Sequence, residues 1–205
     1  MIRSFAAGDR FVLATHNKGK IAEFRELLGP MRIEIVASAD LGLPEPEETG
    51  NSFAANALLK AEATAKAAGL PALADDSGIE IEALGGAPGI YSARWAGEGR
   101  DFAAAIARVE RELAAKGALM PPPRANFTCV LCLTAPEGEP EFYEGKAFGH
   151  LSFPPRGRLG FGYDPIFVPD GHSLTFAEMT PEEKHHISHR AVAFEAFAKA
   201  RLPRI

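Results

Sequence analysis

The chain has 205 residues, 46 % of them hydrophobic and 24 % charged, with a formal net charge of −5. That composition builds a core and excludes a disordered, collagen-like or disulfide-stapled chain. The acidic balance argues against a partner such as DNA or RNA, yet small anionic substrates stay open, because local charge can oppose net charge. No apolar run of about 18 residues is present, so no membrane span is expected. The first nine residues lack the apolar core of a secretory signal. A cytoplasmic location is expected.

Arg10 to Thr15 reads as a buried strand, ending at His16-Asn17-Lys18-Gly19-Lys20. Ile21, Phe24, Leu27 and Leu28 then recur at helical spacing, and Gly29-Pro30 stops the helix. Ile33 to Ala37 reads as a second strand, so a βαβ unit with parallel strands is expected. An acidic, proline-rich loop follows over 38–51, and Ser52 caps a helix over 53–68 that ends at Gly69. Ala72-Leu73-Ala74 is a short strand entering Asp75-Asp76-Ser77-Gly78, and a separate half-buried strand begins at Ile79. Gly85 to Gly89 is a loop by composition.

Asp101 caps a helix over about 102–116, whose apolar face is Phe102, Ile106, Val109 and Leu113. Strands are expected over 125–134 and 141–149, joined as a hairpin. Cys129 and Cys132 lie on the first of them, three apart and so on opposite faces; they read as buried, inert thiols. Thr180-Pro181-Glu182-Glu183 has the form of a capping box, and Val192, Phe194 and Phe197 mark the C-terminal helix. No repeat or long linker divides the chain, so residues 1–205 are expected to form one α/β domain, in two lobes with a cleft.

Five places carry possible chemistry. The strand-to-helix turn Thr15 to Lys20 offers free N–H groups, the positive end of a helix and a lysine, which suits phosphate. It is not a P-loop, and an ordinary Asn-capped helix would look the same. Glu45, Glu47 and Glu48 with Asp75-Asp76 offer hard oxygen ligands for Mg²⁺, or simply solvated acid. Two buried adjacent carboxylates would need a cation or strong hydrogen bonds. Lys60, alone among Ala and Leu, reads as a surface residue. In Gly160-Phe161-Gly162-Tyr163-Asp164-Pro165 the glycines leave the Phe161 ring open to a flat ligand, or the ring plugs the core. Lys184, His189 and Arg190 suit an anion or a base edge. His185 and His189 have the i, i+4 spacing of zinc ligands, but lack an H-E-x-x-H pattern.

Taken together, LATHNKGK (13–20), PEETGNSFAANALLKA (46–61), ALADDSGIEIEALGGAPGIYSARWAG (72–97), GFGYDPIF (160–167) and EEKHHISHR (182–190) resemble the inosine triphosphate pyrophosphatases, also called XTP/dITP diphosphatases. The resemblance runs over residues 10–200, with all five motifs in the family's order. It implies an elongated central mixed sheet flanked by helices, a homodimer, and Mg²⁺-dependent cleavage of deaminated purine nucleoside triphosphates to monophosphate and pyrophosphate. It implies that Thr15, His16, Asn17, Lys18, Gly19 and Lys20 cradle the triphosphate with Lys60. It assigns Mg²⁺ to Glu47 and Asp76, the general base to Asp76, and substrate contact to Ser77. It assigns the base pocket to Phe161, Gly162, Tyr163 and Asp164, with Lys184, His189 and Arg190. Position 16 varies in the family, so His16 has no special role. A related pyrophosphatase of the septum-inhibitor type, or a non-catalytic nucleotide-binding module, would keep some motifs. The first lacks the DDSG…PGIYSAR and SHR pairing, and the second would lose a carboxylate.

Overall fold

The computed structural model describes residues 4–29 and 32–202. Its strands are β1 (Arg10–Leu13), β2 (Glu34–Ala37), β3 (Ala72–Ile81), β4 (Arg124–Thr134), β5 (Glu141–Leu151) and β6 (Phe167–Pro169). Its helices are α1 (Lys18–Leu28), α2 (Phe53–Ala68), α3 (Ser92–Trp95), α4 (Phe102–Ala115), α5 (Pro181–His185) and α6 (His189–Arg201). The strands form one six-stranded mixed sheet in the order β2-β1-β3-β4-β5-β6. β1 pairs in parallel with both β2 and β3, while β5 and β6 are antiparallel. The expected βαβ unit is therefore present. The short connection between β4 and β5 suits only a hairpin, because a parallel pair needs a crossover.

The chain divides into two compact units. The first comprises Met1–Asp76, Cys129–Gly145 and Ala191–Ile205. Its main core joins Phe11, Leu13, Phe24, Leu28, Leu73, Leu131, Phe194 and Phe197. A second cluster, Ala14, Ala57, Ala61, Ala74 and Cys132, lies where α2 meets β3 through alanines. Small side chains allow that helix to approach the strand closely. Cys129 belongs to the first cluster and Cys132 to the second, as alternation along a strand requires. Burial, helped by the charge of Glu62, pushes the Cys132 thiol up to about 12.

The second unit comprises Ser77–Thr128 and Lys146–Arg190. Its core packs Ile106, Val109 and Leu113 of α4 against Ile79, Ile81, Phe127, Phe167 and Phe176. Asp101 caps α4 by accepting from the Ala104 N–H at 3.0 Å. Thr180 and Glu183 form the expected capping box at α5.

Two expectations change, and a third is met as far as the described residues go. Residues 72–81 are one continuous strand rather than two strands about an acidic turn, so Asp75 and Asp76 lie within a ladder and are buried. Val192 faces solvent, because the buried stripe of α6 runs through Ala193, Phe194 and Phe197 and residue 192 is rotated off it. Gly29 caps α1 in a right-handed conformation, and Pro30, expected to stop that helix with it, lies outside the described residues.

α6 is tied to β5 by a polar contact. Arg201 Nε donates to Glu141 Oε2 at 2.6 Å and the Tyr143 hydroxyl donates to the same oxygen at 2.7 Å. Burial would raise the Glu141 carboxyl, but the hydrogen bonds from Arg201 and Tyr143 outweigh it and hold the group below the ordinary carboxylate range. A depressed carboxyl contributes stability above its unfolded value, near 4.3, and loses it as pH falls through the folded value. Arg201→Ala should therefore cost ~1 kcal/mol at pH 7, lowering Tm by about 2–4 °C. Thermal unfolding at pH 7 and pH 3 checks this; an equal deficit at both would exclude the ion pair as its source.

Candidate active site

Two clusters of functional side chains stand in the chain, one in each unit. The first begins at the end of β1. Thr15 Oγ1 accepts from the Asn17 N–H at 3.2 Å, and Asn17 Oδ1 caps α1 by accepting from the N–H groups of Gly19 at 2.9 Å and Lys20 at 3.3 Å. Three backbone donors of the turn, expected to be free for phosphate, are thus already engaged. What the turn presents is the helix's positive end and the Lys20 side chain.

Lys20 Nζ lies 2.9 Å from Asp75 Oδ2, and Asp75 is fully buried. Asp76, next on β3, is 5 % exposed. Successive strand residues face opposite sides. Leu73 accordingly packs with Phe24 of α1, and Ala74 with Ala57 and Ala61 of α2. The two carboxylates follow the same alternation. Asp75 meets Lys20 of α1, and Asp76 meets Lys60 and Asn56 of α2.

Lys60 is buried rather than at the surface, at 5 % exposure. Its Nζ pairs with Glu48 Oε1 and stands 3.9 Å from Asp76 Oδ1. Burial works to discharge this ammonium, but Asp76, Asp75 and Glu48 outweigh it and raise its pKa. Asp76 is also raised: burial dominates, and the charge of Glu48 adds to it, against the pull of Lys60, Lys20 and the Asn56 hydrogen bond. A carboxylate held above its ordinary range is a better proton acceptor near neutral pH.

The acidic loop resolves by residue. Glu45 and Glu47 are exposed, whereas Glu48 is half-buried and engaged with Lys60. The structure thus brings Glu48, not the expected Glu47, beside Asp76. Sequence reading passed over Asn56 as well, while Asp75, read there as a possible oxygen ligand or a solvated turn residue, is paired with Lys20. Asn56 did leave a signal: an amide inside an alanine-rich helix, one turn before Lys60, is costly unless it has partners.

The second cluster is aromatic and basic. Asp164 is 2 % exposed, and its Oδ2 accepts from the Phe161 N–H at 2.8 Å and from Lys184 Nζ at 2.7 Å. The 160–164 loop wraps around that carboxylate. Gly160 has φ +70°, and a Cβ there would collide with Asp164 Oδ2, so glycine is required on both counts. Lys184 Nζ stands 5.1 Å from the Phe161 ring centroid and 5.5 Å from that of Phe176, and the Arg190 guanidinium 5.9 Å from that of Phe161. Arg190 is buried and donates to Ser77 Oγ at 3.0 Å. The His189 ring stacks on Phe127, with centroids 4.8 Å apart and planes 13° apart. Phe161 and Gly162 stay half-buried.

Tyr163 takes a different place from its neighbours in the motif. Its ring packs edge-on against Phe102, and its hydroxyl donates to the Ser92 carbonyl at 2.9 Å. Ser92 in turn accepts from the Ile79 N–H and donates to the Gly89 carbonyl. Ser92 is a further residue that sequence reading missed. His186 is exposed and His185 half-buried, and the helical segments break between His185 and His189. Their sequence spacing therefore does not put those two on one continuous helix.

The Ham1 family pattern matches residues 11–200. A dITP/XTP pyrophosphatase of Rhodopseudomonas palustris is 57 % identical over 198 residues, covering 93 % of this chain and 94 % of that protein. A dITP/XTP pyrophosphatase of Ruegeria pomeroyi is 55 % identical over 202 residues, covering 97 % and 98 %. Among solved structures, a HAM1 protein from Coxiella burnetii superposes with a TM-score of 0.85 at 42 % identity, covering 94 % of this chain and 98 % of that one.

Removing the Asp164 carboxylate would leave Lys184 charged, buried and short of its partner. Asp164→Ala should destabilise the chain by about 3–5 kcal/mol. Urea unfolding measures this, and a loss under about 1 kcal/mol would show that the carboxylate does not organise the loop.

Proposed function

This chain belongs to the Ham1 family, and from that premise we propose the reaction and the parts played by its residues. It hydrolyses non-canonical purine nucleoside triphosphates, dITP and XTP with ITP and dXTP, to the monophosphate and pyrophosphate. The observation that carries this is the set of Lys60, Asp75 and Asp76, all buried, with Lys20 and Glu48 half-buried beside them. A chain of net charge −5 gathers there two lysines suited to polyphosphate and carboxylates suited to a cation.

Asp76 and Glu48 would hold Mg²⁺, the second in place of the exposed Glu47. Hard carboxylate oxygens suit the ion, which often takes one or two of them and completes its shell from phosphates and water. Among the described residues no group of three or more His, Cys, Asp or Glu is placed for a metal, so substrate oxygens would supply the rest. When bound, Mg²⁺ supplies charge neutralisation at phosphate oxygens. Lys20 and Lys60 act on the same oxygens, and Thr15 to Gly19 frame them. Asp76 takes a proton from water as the water oxygen bonds to the α-phosphorus and the bridging P–O bond to pyrophosphate breaks. Its raised pKa supports that role.

The Phe161 ring would stack the base, with Ser77, Gly162 and Tyr163 shaping its surroundings. A 6-keto purine offers an acceptor at O6, where Lys184, His189 and Arg190 supply donors. Adenine offers an amine there instead, and each unpaired buried group costs ~1–3 kcal/mol. Asp164, which holds Lys184 and the Phe161 N–H, acts by arranging those donors.

No helix among the described residues is long and apolar enough to cross a membrane. A cytoplasmic enzyme, one domain of two units and dimeric, is the arrangement proposed. The decisive experiment incubates the protein and Mg²⁺ with dITP, XTP, ATP, GTP and dTTP, and measures pyrophosphate and orthophosphate. Pyrophosphate from dITP and XTP is expected, and orthophosphate alone would exclude α–β cleavage. Asp76→Asn should lower kcat for dITP by about 10²–10⁴-fold with the fold intact by circular dichroism. Full activity in that variant would remove Asp76 as the base.

A further inference from the structure

Asn56 is fully buried in the interior of α2. An amide at such a place is tolerable only with both of its ends bonded. Its Oδ1 accepts from the Gly50 N–H at 2.8 Å, and its Nδ2 donates to Asp76 Oδ2 at 3.0 Å. The first bond fixes the direction of the second. With Oδ1 held by a backbone donor, the end turned to the carboxylate is the NH₂ group, which can only donate.

Gly50 makes this possible. A Cβ at residue 50 would stand 2.6 Å from Asn56 Oδ1 and 2.8 Å from the Ala55 Cβ, so a larger residue would force the loop away. Glu48 lies two residues before Gly50 on that loop, and its carboxylate meets Lys60 one turn after Asn56. Asp76 Oδ2 is held by Asn56, while Oδ1 is the oxygen 3.9 Å from Lys60. One amide thus spans the two segments that carry Glu48 and Asp76 and sets which oxygen of Asp76 faces the lysine.

Resting on the reading of Glu48 and Asp76 given above, we propose that Asn56 is a positioning residue that fixes the spacing and orientation of those two carboxylates for cation binding and catalysis. It acts through its hydrogen bond to the Asp76 carboxylate and through the Gly50 backbone. Groups that orient metal-binding and catalytic carboxylates change affinity or turnover by about 10–100-fold when removed.

The test compares the full chain with Asn56→Ala, Gly50→Ala and Thr64→Ala. Thr64 is buried on the same helix, two turns further on, and serves as a control for general loss of packing. Gly50→Ala displaces the amide from the loop side, and reports if Asn56→Ala does not fold. For each protein Tm, kcat and KM for dITP, and the Kd for Mn²⁺ without nucleotide (by electron paramagnetic resonance) are measured. Asn56→Ala and Gly50→Ala should lower kcat by about 10–100-fold and weaken Mn²⁺ by about 10-fold. KM for dITP should stay within about threefold of wild type. Thr64→Ala should lose stability yet keep kcat and Mn²⁺ affinity. Wild-type turnover and Mn²⁺ affinity in the Asn56 and Gly50 variants would overturn the proposal, as would a parallel loss in Thr64→Ala. If the wild-type chain releases no pyrophosphate from dITP, the activity assigned above fails, while the Mn²⁺ affinities still decide the role of Asn56.

Discussion

Two adjacent aspartates leave water together on β3, and the surrounding unit is arranged to make that tolerable. Side by side in a low-dielectric interior they would otherwise drive one another toward the neutral form. Strand alternation separates them onto opposite faces, and each face supplies a cation: Lys20 from α1 to Asp75, Lys60 from α2 to Asp76. Glu48, half-buried, joins Lys60, so that three carboxylates and two ammonium groups gather about one stretch of β3. Most of the remaining local structure serves that balance. The alanines of α2 bring its backbone close enough for Lys60 to reach, and the Asn17 cap starts α1 where Lys20 can turn inward.

The same need explains why the balance is incomplete. Lys60 is raised by its carboxylate neighbours, yet Asp76 remains above the ordinary range as well. Burial is the dominant influence on the aspartate, and its cations do not fully cancel it. A perfectly neutralised cluster would be a stable structural ion pair with little chemical capacity. A carboxylate raised by burial beside lysines suited to phosphate is a poised group. The second unit repeats the device with different materials. There Asp164 holds Lys184 below the faces of Phe161 and Phe176, and Arg190 reaches Ser77. A buried charge is again paired, and the pair places a ring.

Much of this was legible in the residues. Asn17, Ser52, Asp101 and Thr180 announce helix starts through short side chains that can reach free N–H groups, and each caps as expected. The period of Phe24 and Leu28, and of Ile106, Val109 and Leu113, identifies the faces those helices bury. The acidic run at 72–81 misled, because carboxylates in sequence look like a solvated turn. Nothing local to Asp75 and Asp76 reveals that two lysines, 55 and 16 residues away in the chain, will meet them.

Local patterns determined where helices and strands start, the α/β class, and which motifs deserved attention, because capping and periodicity are properties of a few neighbouring residues. The pairing of Glu48 with Lys60, the burial of Lys60, the bonded amide of Asn56 and the hydroxyl of Tyr163 turned to Ser92 were decided only by the tertiary structure. Each depends on which backbone passes within about 3 Å of a side chain, and hydrogen bonds and ion pairs fall off over that distance. Sequence spacing cannot set such a distance across dozens of residues. Packing of α2 on β3 can, and it brings an ordinary lysine and asparagine against a buried carboxylate.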